Sequence, residues 1–205
     1  AILAMAILSI TSASFYPANA ADMPNIVIMG EDVDRHTVKR DTTVFKRVLN
    51  ALSNELNNEG FSVYDETAIT MGHSSQGRAR RNDKELIDVA RSVKQPPIDV
   101  VVIFATYLNV DKKAYTKKIY TRIAGRLLNV RTGQRLGNFE VELPQPDNVA
   151  LDCETKCIRD TLGKNAKLLA QDLGAVLTIK LAHLAKGGGT TGTSVKTGMA
   201  TAYAL

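Results

Sequence analysis

Ile98-Asp99-Val100-Val101-Val102-Ile103-Phe104-Ala105 is the stretch on which the fold turns. It is rich in β-branched and apolar residues at consecutive positions, so both of its faces need burial. A strand of that kind belongs in the middle of a sheet with cover on each side, the mark of an α/β protein. Val101 and Ile103 lie in its most apolar part, and they are expected to face opposite sides of the sheet.

Toward the N-terminus, Asn25-Ile26-Val27-Ile28-Met29 is a second short apolar run and ends at Gly30. It reads as another buried strand. The charged loop Glu31–His36 resembles the start of a calcium loop but lacks that pattern's Gly and closing Glu, and is taken as surface. Val44, Phe45, Val48, Leu49, Leu52 and Leu56 then recur at helical spacing, with Asp41 or Thr42 as cap and Gly60 as stop. Phe61 to Asp65 alternates as a short strand. Asn82-Asp83-Lys84-Glu85 has the form of a cap with an acid three residues on. It opens a helix carrying Leu86, Ile87, Ala90 and Val93, which Pro96-Pro97 ends.

Toward the C-terminus, a long strand is expected from about Lys117 to Val130, turning at Arg131-Thr132-Gly133-Gln134 into a partner from Leu136 to Leu143. A proline-containing loop leads to the longest helix, Ile158 to Leu184, striped by Leu162, Ala166, Leu169, Leu173, Val176 and Leu177. The order β-α-β-α-β-β-β-α gives a mixed sheet with helices packed on it, ending in a meander.

The ends of the chain carry a location. Residues 1–20 join an apolar run of about ten residues, too short to span a bilayer, to Pro17 and Ala18-Asn19-Ala20. That is the form of a secretory signal peptide with small residues at the cleavage site. Exported material is expected to begin at Ala21, and no Cys follows to carry a lipid. The absent basic residues before the apolar run suggest that the natural chain starts a little earlier. Residues 21–185 form the envelope domain, residues 186–198 a Gly/Thr/Ser-rich linker, and residues 199–205 the start of a further domain.

Hydrophobic residues make up 44% of the chain, enough for a packed core. With no Trp and 5% aromatics, an aromatic-lined sugar groove is not expected. A net charge of +5 in a cytoplasmic protein would suit nucleic acid. In an exported one it points to anionic envelope polymers, lipid headgroups or acidic proteins, or simply to a solvated surface. Cys153 and Cys157, an even pair in an oxidising compartment, are expected to form a disulfide that clips the entry to the last helix.

Chemistry is harder to find. His36, His73 and His183 stand in no ligand spacing, and no nucleophile elbow, zinc helix or phosphate loop is present. Asp32 and Asp34 could serve acid–base work only within a pocket. Arg78, Arg80 and Arg81 are the candidate contact for a partner or an anion. No catalytic residue, metal ligand or cofactor site is assigned.

Gly125-Arg126-Leu127-Leu128-Asn129-Val130-Arg131-Thr132-Gly133-Gln134-Arg135-Leu136 resembles a hairpin of the CsgG, FlgO and TolB N-terminal type of envelope proteins. With the apolar first strand, the helix after it and the strand at Asp99–Ile103, the resemblance covers most of residues 25–184. More narrowly, the stretch is similar to an accessory outer-membrane-core subunit of Dot/Icm type IVB secretion systems. The resemblance implies a non-catalytic structural component of a secretion or surface-appendage machine. It further implies a periplasmic, outer-membrane-associated location, with other envelope proteins as partners and self-association left open. Two other readings remain: a periplasmic module that regulates a cell-wall enzyme or recognises peptidoglycan, and a periplasmic enzyme without a recognisable motif.

Overall fold

A computed structural model describes residues 23–69, 82–182 and 184, with the backbone of residues 201–203. Residues 1–20, expected as a signal peptide, and residues 186–198, expected as a linker, lie outside the described residues.

The chain runs β1 (Asn25–Gly30), α1 (Thr43–Asn58), β2 (Ser62–Asp65), α2 (Glu66–Ile69), α3 (Asp83–Ser92), β3 (Val100–Lys112), β4 (Thr116–Asn129), β5 (Arg135–Glu142), β6 (Asp147–Ala150), α4 (Thr155–Ala182) and β7 (Thr201–Tyr203). The strands make one mixed sheet in the order β2-β1-β3-β4-β5-β7, with β6 also on β4. β3 is central, parallel to β1 on one side and antiparallel to β4 on the other.

Alternation along the strands separates two cores. Ile26, Ile28, Val100, Val102, Phe104, Ile123 and Leu127 face α1 and α4 in the larger one. Val27, Met29, Val101, Ile103 and Leu128 face α3 in the smaller. Val101 and Ile103 therefore share a side, contrary to the sequence reading, because residues two apart in a strand point the same way.

The helix boundaries follow from local chemistry. The Thr42 side chain accepts the Phe45 N–H at the start of α1. At its end Gly60 adopts φ +92°, Phe61 N–H returns to the Leu56 carbonyl, and Gly60 N–H reaches Asn57. That is a Schellman ending, with Leu56 and Phe61 both buried. Asn82 caps α3 in the same way as Thr42, accepting from Glu85 N–H.

Four elements depart from the sequence reading. β3 runs on to Lys112, because past Ala105 the pattern becomes one-sided and the strand needs only one covered face. The segments α2 and β6 have only four residues each, too few for an apolar periodicity to mark them. Residues 201–203, expected to open a further domain, lie against β5 as an edge strand of this same sheet.

One buried group lacks compensation. The hydroxyl of Thr106, 1% exposed among apolar neighbours, has no hydrogen-bond partner among the described residues. Thr106→Val removes that group at nearly constant volume, so the variant should be more stable by about 1 kcal/mol. Denaturant midpoints of the two proteins measure this; a lower midpoint for the valine form would mean that the hydroxyl is in fact solvated.

Candidate functional site

The smaller core covers only one end of its face of the sheet. Beyond Ile103 that face carries Tyr107 and Asn109 from β3, Tyr120 and Arg122 from β4, and Glu140 and Glu142 from β5, with no helix over them among the described residues. The loop after β1 returns to the free edge of β3: Val38 N–H bonds the Thr106 carbonyl, and Leu108 N–H bonds that of His36. This return brings Asp34 and His36 beside Tyr107. On the far side, pairing to β4 stops at Arg122–Glu142 and resumes at Ile119–Asp147. The residues between swing away and raise a wall with Leu143, Gln145 and Pro146. The result is an open groove of about 510 Å³.

Its polar groups are mutually held. Tyr107 Oη donates to Asp34 Oδ2 at 3.1 Å, and the Arg122 guanidinium lies 4.2 Å above the Tyr107 ring. Arg122 Nη1 also donates to Glu140 Oε1 at 2.9 Å. Burial, then the Asp34 carboxylate, raises the Tyr107 pKa above the ordinary tyrosine value, so the hydroxyl stays a donor. Tyr120 is 40% exposed and offers a ring to the groove mouth.

A second polar network joins the groove face to the covered end. Arg126 of β4 donates to both carboxylate oxygens of Glu31, at 2.8 and 2.7 Å, and its Nε to Asp83 Oδ1 at 2.8 Å. Arg135 adds a bond to Asp83 Oδ2 at 3.0 Å. Asp83 opens α3, so this network pins that helix to the sheet. The Glu31 bond, with Asp83 behind it, raises the Arg126 pKa still further above its already high value. Burial alone would raise the Asp83 pKa, but the bonds from Arg126 and Arg135 outweigh it and lower the carboxyl from 3.8. A lowered folded pKa stabilises the fold above the ordinary carboxylate range and ceases to do so as pH falls through it. The stability advantage of the natural protein over Asp83→Asn should therefore shrink below about pH 4, as acid unfolding curves will measure.

The sequence-derived candidates separate. Asp32 and Asp34 do not form an acid pair: Asp32 bonds the Arg40 backbone and guanidinium, while Asp34 meets Tyr107. His36 lines the groove. Arg78, Arg80, Arg81, His73 and His183 lie outside the described residues. Cys153 and Cys157 are bonded to each other, with Cα atoms 5.3 Å apart, and Cys157 sits in the first turn of α4. Lys117 Nζ donates to the Cys153 carbonyl at 2.6 Å, tying this clip to β4. Alkylation of the native, oxidised protein should label neither cysteine, and quantitative labelling without reduction would show that the bond is absent.

Sequence reasoning missed Tyr107 and Asn109 as site residues. Their alternation with Leu108 and Val110 was the available signal of an open face. No helix among the described residues is long and apolar enough to cross a membrane.

No known family model matches the chain, and no curated protein matches it. Several solved structures follow a similar chain course. Lipoprotein GNA1162 from Neisseria meningitidis is 12% identical, with 76% of this chain and 96% of that one covered and a TM-score of 0.48. The PelC dodecamer from Paraburkholderia phytofirmans is 12% identical over 76% of this chain and 89% of that one, with a TM-score of 0.39. Protein XCC0632 from Xanthomonas campestris is 8% identical over 80% and 89%, with a TM-score of 0.43.

Proposed function

We propose that the chain is a non-catalytic scaffold of the bacterial envelope that docks to other envelope proteins through the open face of its sheet. The observation that carries this reading is that face, where Tyr120 and Arg122 stand partly exposed beyond the reach of α3, with Tyr107 beneath the Arg122 guanidinium and no helix over them among the described residues. Tyr and Arg are the residue types enriched at the energetic centres of protein interfaces. Arg122 is already held by the Tyr107 ring and Glu140, so docking would cost it little rotamer freedom. Residues 1–20 support export, and an even cysteine pair suits an oxidising compartment. On this reading the domain works in the periplasm and reaches the outer membrane through its partners. The machine it serves is a secretion or appendage system of the kind the hairpin resemblance implies.

Tyr120→Ala combined with Arg122→Ala tests the proposal. Partner recovery from envelope extracts should fall about tenfold or more, with the thermal unfolding of the domain little changed. Undiminished recovery would remove this face from the interface.

The groove favours a second reading, a binding module. About 510 Å³ suits a small ligand, and Asp34, His36 and Asn109 offer polar contacts. Asp34→Asn with His36→Ala would then abolish ligand retention while leaving partner recovery intact. Loss of biological activity in that variant, with the complex whole, would favour the groove over the scaffold.

A further inference from the structure

The tip of the β3–β4 hairpin has a composition that folding does not call for. Register places Lys112 directly opposite Lys117, on the side of the sheet that faces α4, and Asp111 opposite Lys118 on the other. Like charges directly opposite in an antiparallel pair are destabilising. Lys117 turns its ammonium to the Cys153 carbonyl, which satisfies a donor but leaves the charge unneutralised. Lys113 approaches Asp111 at 3.7 Å with both side chains about half exposed to water, so that pair screens little. The hairpin segment 111–118 thus holds four lysines and one aspartate.

Between Lys113 and Thr116 the turn holds up Tyr115, whose side chain is 88% exposed. Thr116 pairs with Ala150, the last residue of β6, so Leu151, itself 37% exposed, lies just past that strand toward the hairpin turn. Two of the large apolar side chains left in water therefore lie at the same end of the molecule, edged by lysines. Asp152 and Glu154 follow on the segment leading to α4, which places the positive side of this end on the hairpin.

An amphipathic ring and an aliphatic side chain at the end of a lysine-rich hairpin match the boundary of an anionic bilayer. Lysine stems lie along apolar surface with their heads in the phosphate layer, and a tyrosine seats its ring at headgroup depth. We propose that the β3–β4 tip, through Tyr115, Leu151, Lys112, Lys113 and Lys118, rests on an anionic lipid surface. This contact is separate from the groove and does not depend on the scaffold reading. It orients the sheet end-on to the membrane, with the open face free beside it.

Co-sedimentation of the full chain with phosphatidylglycerol–phosphatidylcholine vesicles and with phosphatidylcholine vesicles tests it. The natural chain should partition to the anionic vesicles, and the partition should weaken as salt rises. Lys112→Gln with Lys113→Gln should lower the partition coefficient by about fivefold per lysine removed. Tyr115→Ser should lower it further on the same vesicles. Comparing full-length variants with the full-length natural chain cancels whatever residues 1–20 contribute, and circular dichroism verifies that each variant is folded. Equal partition of natural chain and variants, binding that ignores lipid charge, or no vesicle binding at all would each overturn the proposal. So would a soluble polyanion, polyglutamate, that binds the tip while vesicles do not.

Discussion

Val101→Asp is expected to leave no folded protein at ordinary temperature. Val101 is fully buried in the central strand, paired with Val27 on β1 and Leu128 on β4. Around it are Leu86, Ile87 and Ile103, and the described members of this cluster are all apolar, while Arg126 on the same face is already held by Glu31 and Asp83. Burying an uncompensated charged or polar group costs several kcal/mol, and a domain of this kind has only about 5–15 kcal/mol to lose. The helix most affected is α3, which has only ten residues and depends on this core and on the Asp83 network for its place. Circular dichroism and thermal unfolding measure the outcome. A melting temperature equal to the natural protein's would mean that the carboxylate reaches water and that β3 is not central.

Phe104→Ala should cost about 3–5 kcal/mol, the usual range for emptying a large aromatic site in a core. Phe104 is fully buried and stacked on Phe45 of α1, centroids 5.2 Å apart and planes within 7°. Phe45 in turn occupies the space over Gly30, where a Cβ would come 1.9 Å from its ring. The stack is wedged between strand and helix, so α1 has little freedom to close over a void. Denaturant unfolding reads the loss from the shift in midpoint at constant slope. A loss under about 1 kcal/mol would show that the larger core collapses readily around the gap.

What could be read from sequence tracks where the apolar residues are. β1, β3, α1 and α4 bury continuous runs or stripes, and their patterns carry their identity, although β3 extends past its apolar run to Lys112. The caps at Thr42, Asn82 and Gly60 were legible because each uses a side chain or a conformation suited to that place. β6 was not, because Asp147-Asn148-Val149-Ala150 is held by backbone bonds to β4 and by the Asn165 amide on Asp147, neither of which leaves a periodic trace. The groove was half legible. Tyr120, Arg122, Ala124 and Arg126 alternate visibly along β4, yet nothing local says that Arg122 will lie over Tyr107. That meeting follows from the β3–β4 register, and the approach of Asp34 follows from a loop returning to an edge. Contacts between residues 73 positions apart are products of the assembled fold.

The position of α4 at the end of the described core bears on how the chain reaches its native form. Nine of its residues are buried, among them Leu162, Leu169, Leu173, Leu177 and Leu181, all against the larger core. Because a polypeptide is made from its N-terminus, the β3–β4 ladder can close early around its short turn, whereas its α4-facing side must wait. Until residue 181 is available, α1 alone can cover Val100, Val102, Ile123 and Leu127, and part of that apolar strip stays open beside unpaired strand edges, the form of intermediate most prone to aggregate. A nascent chain of this protein should therefore be a client of holding chaperones, released when its last long helix docks.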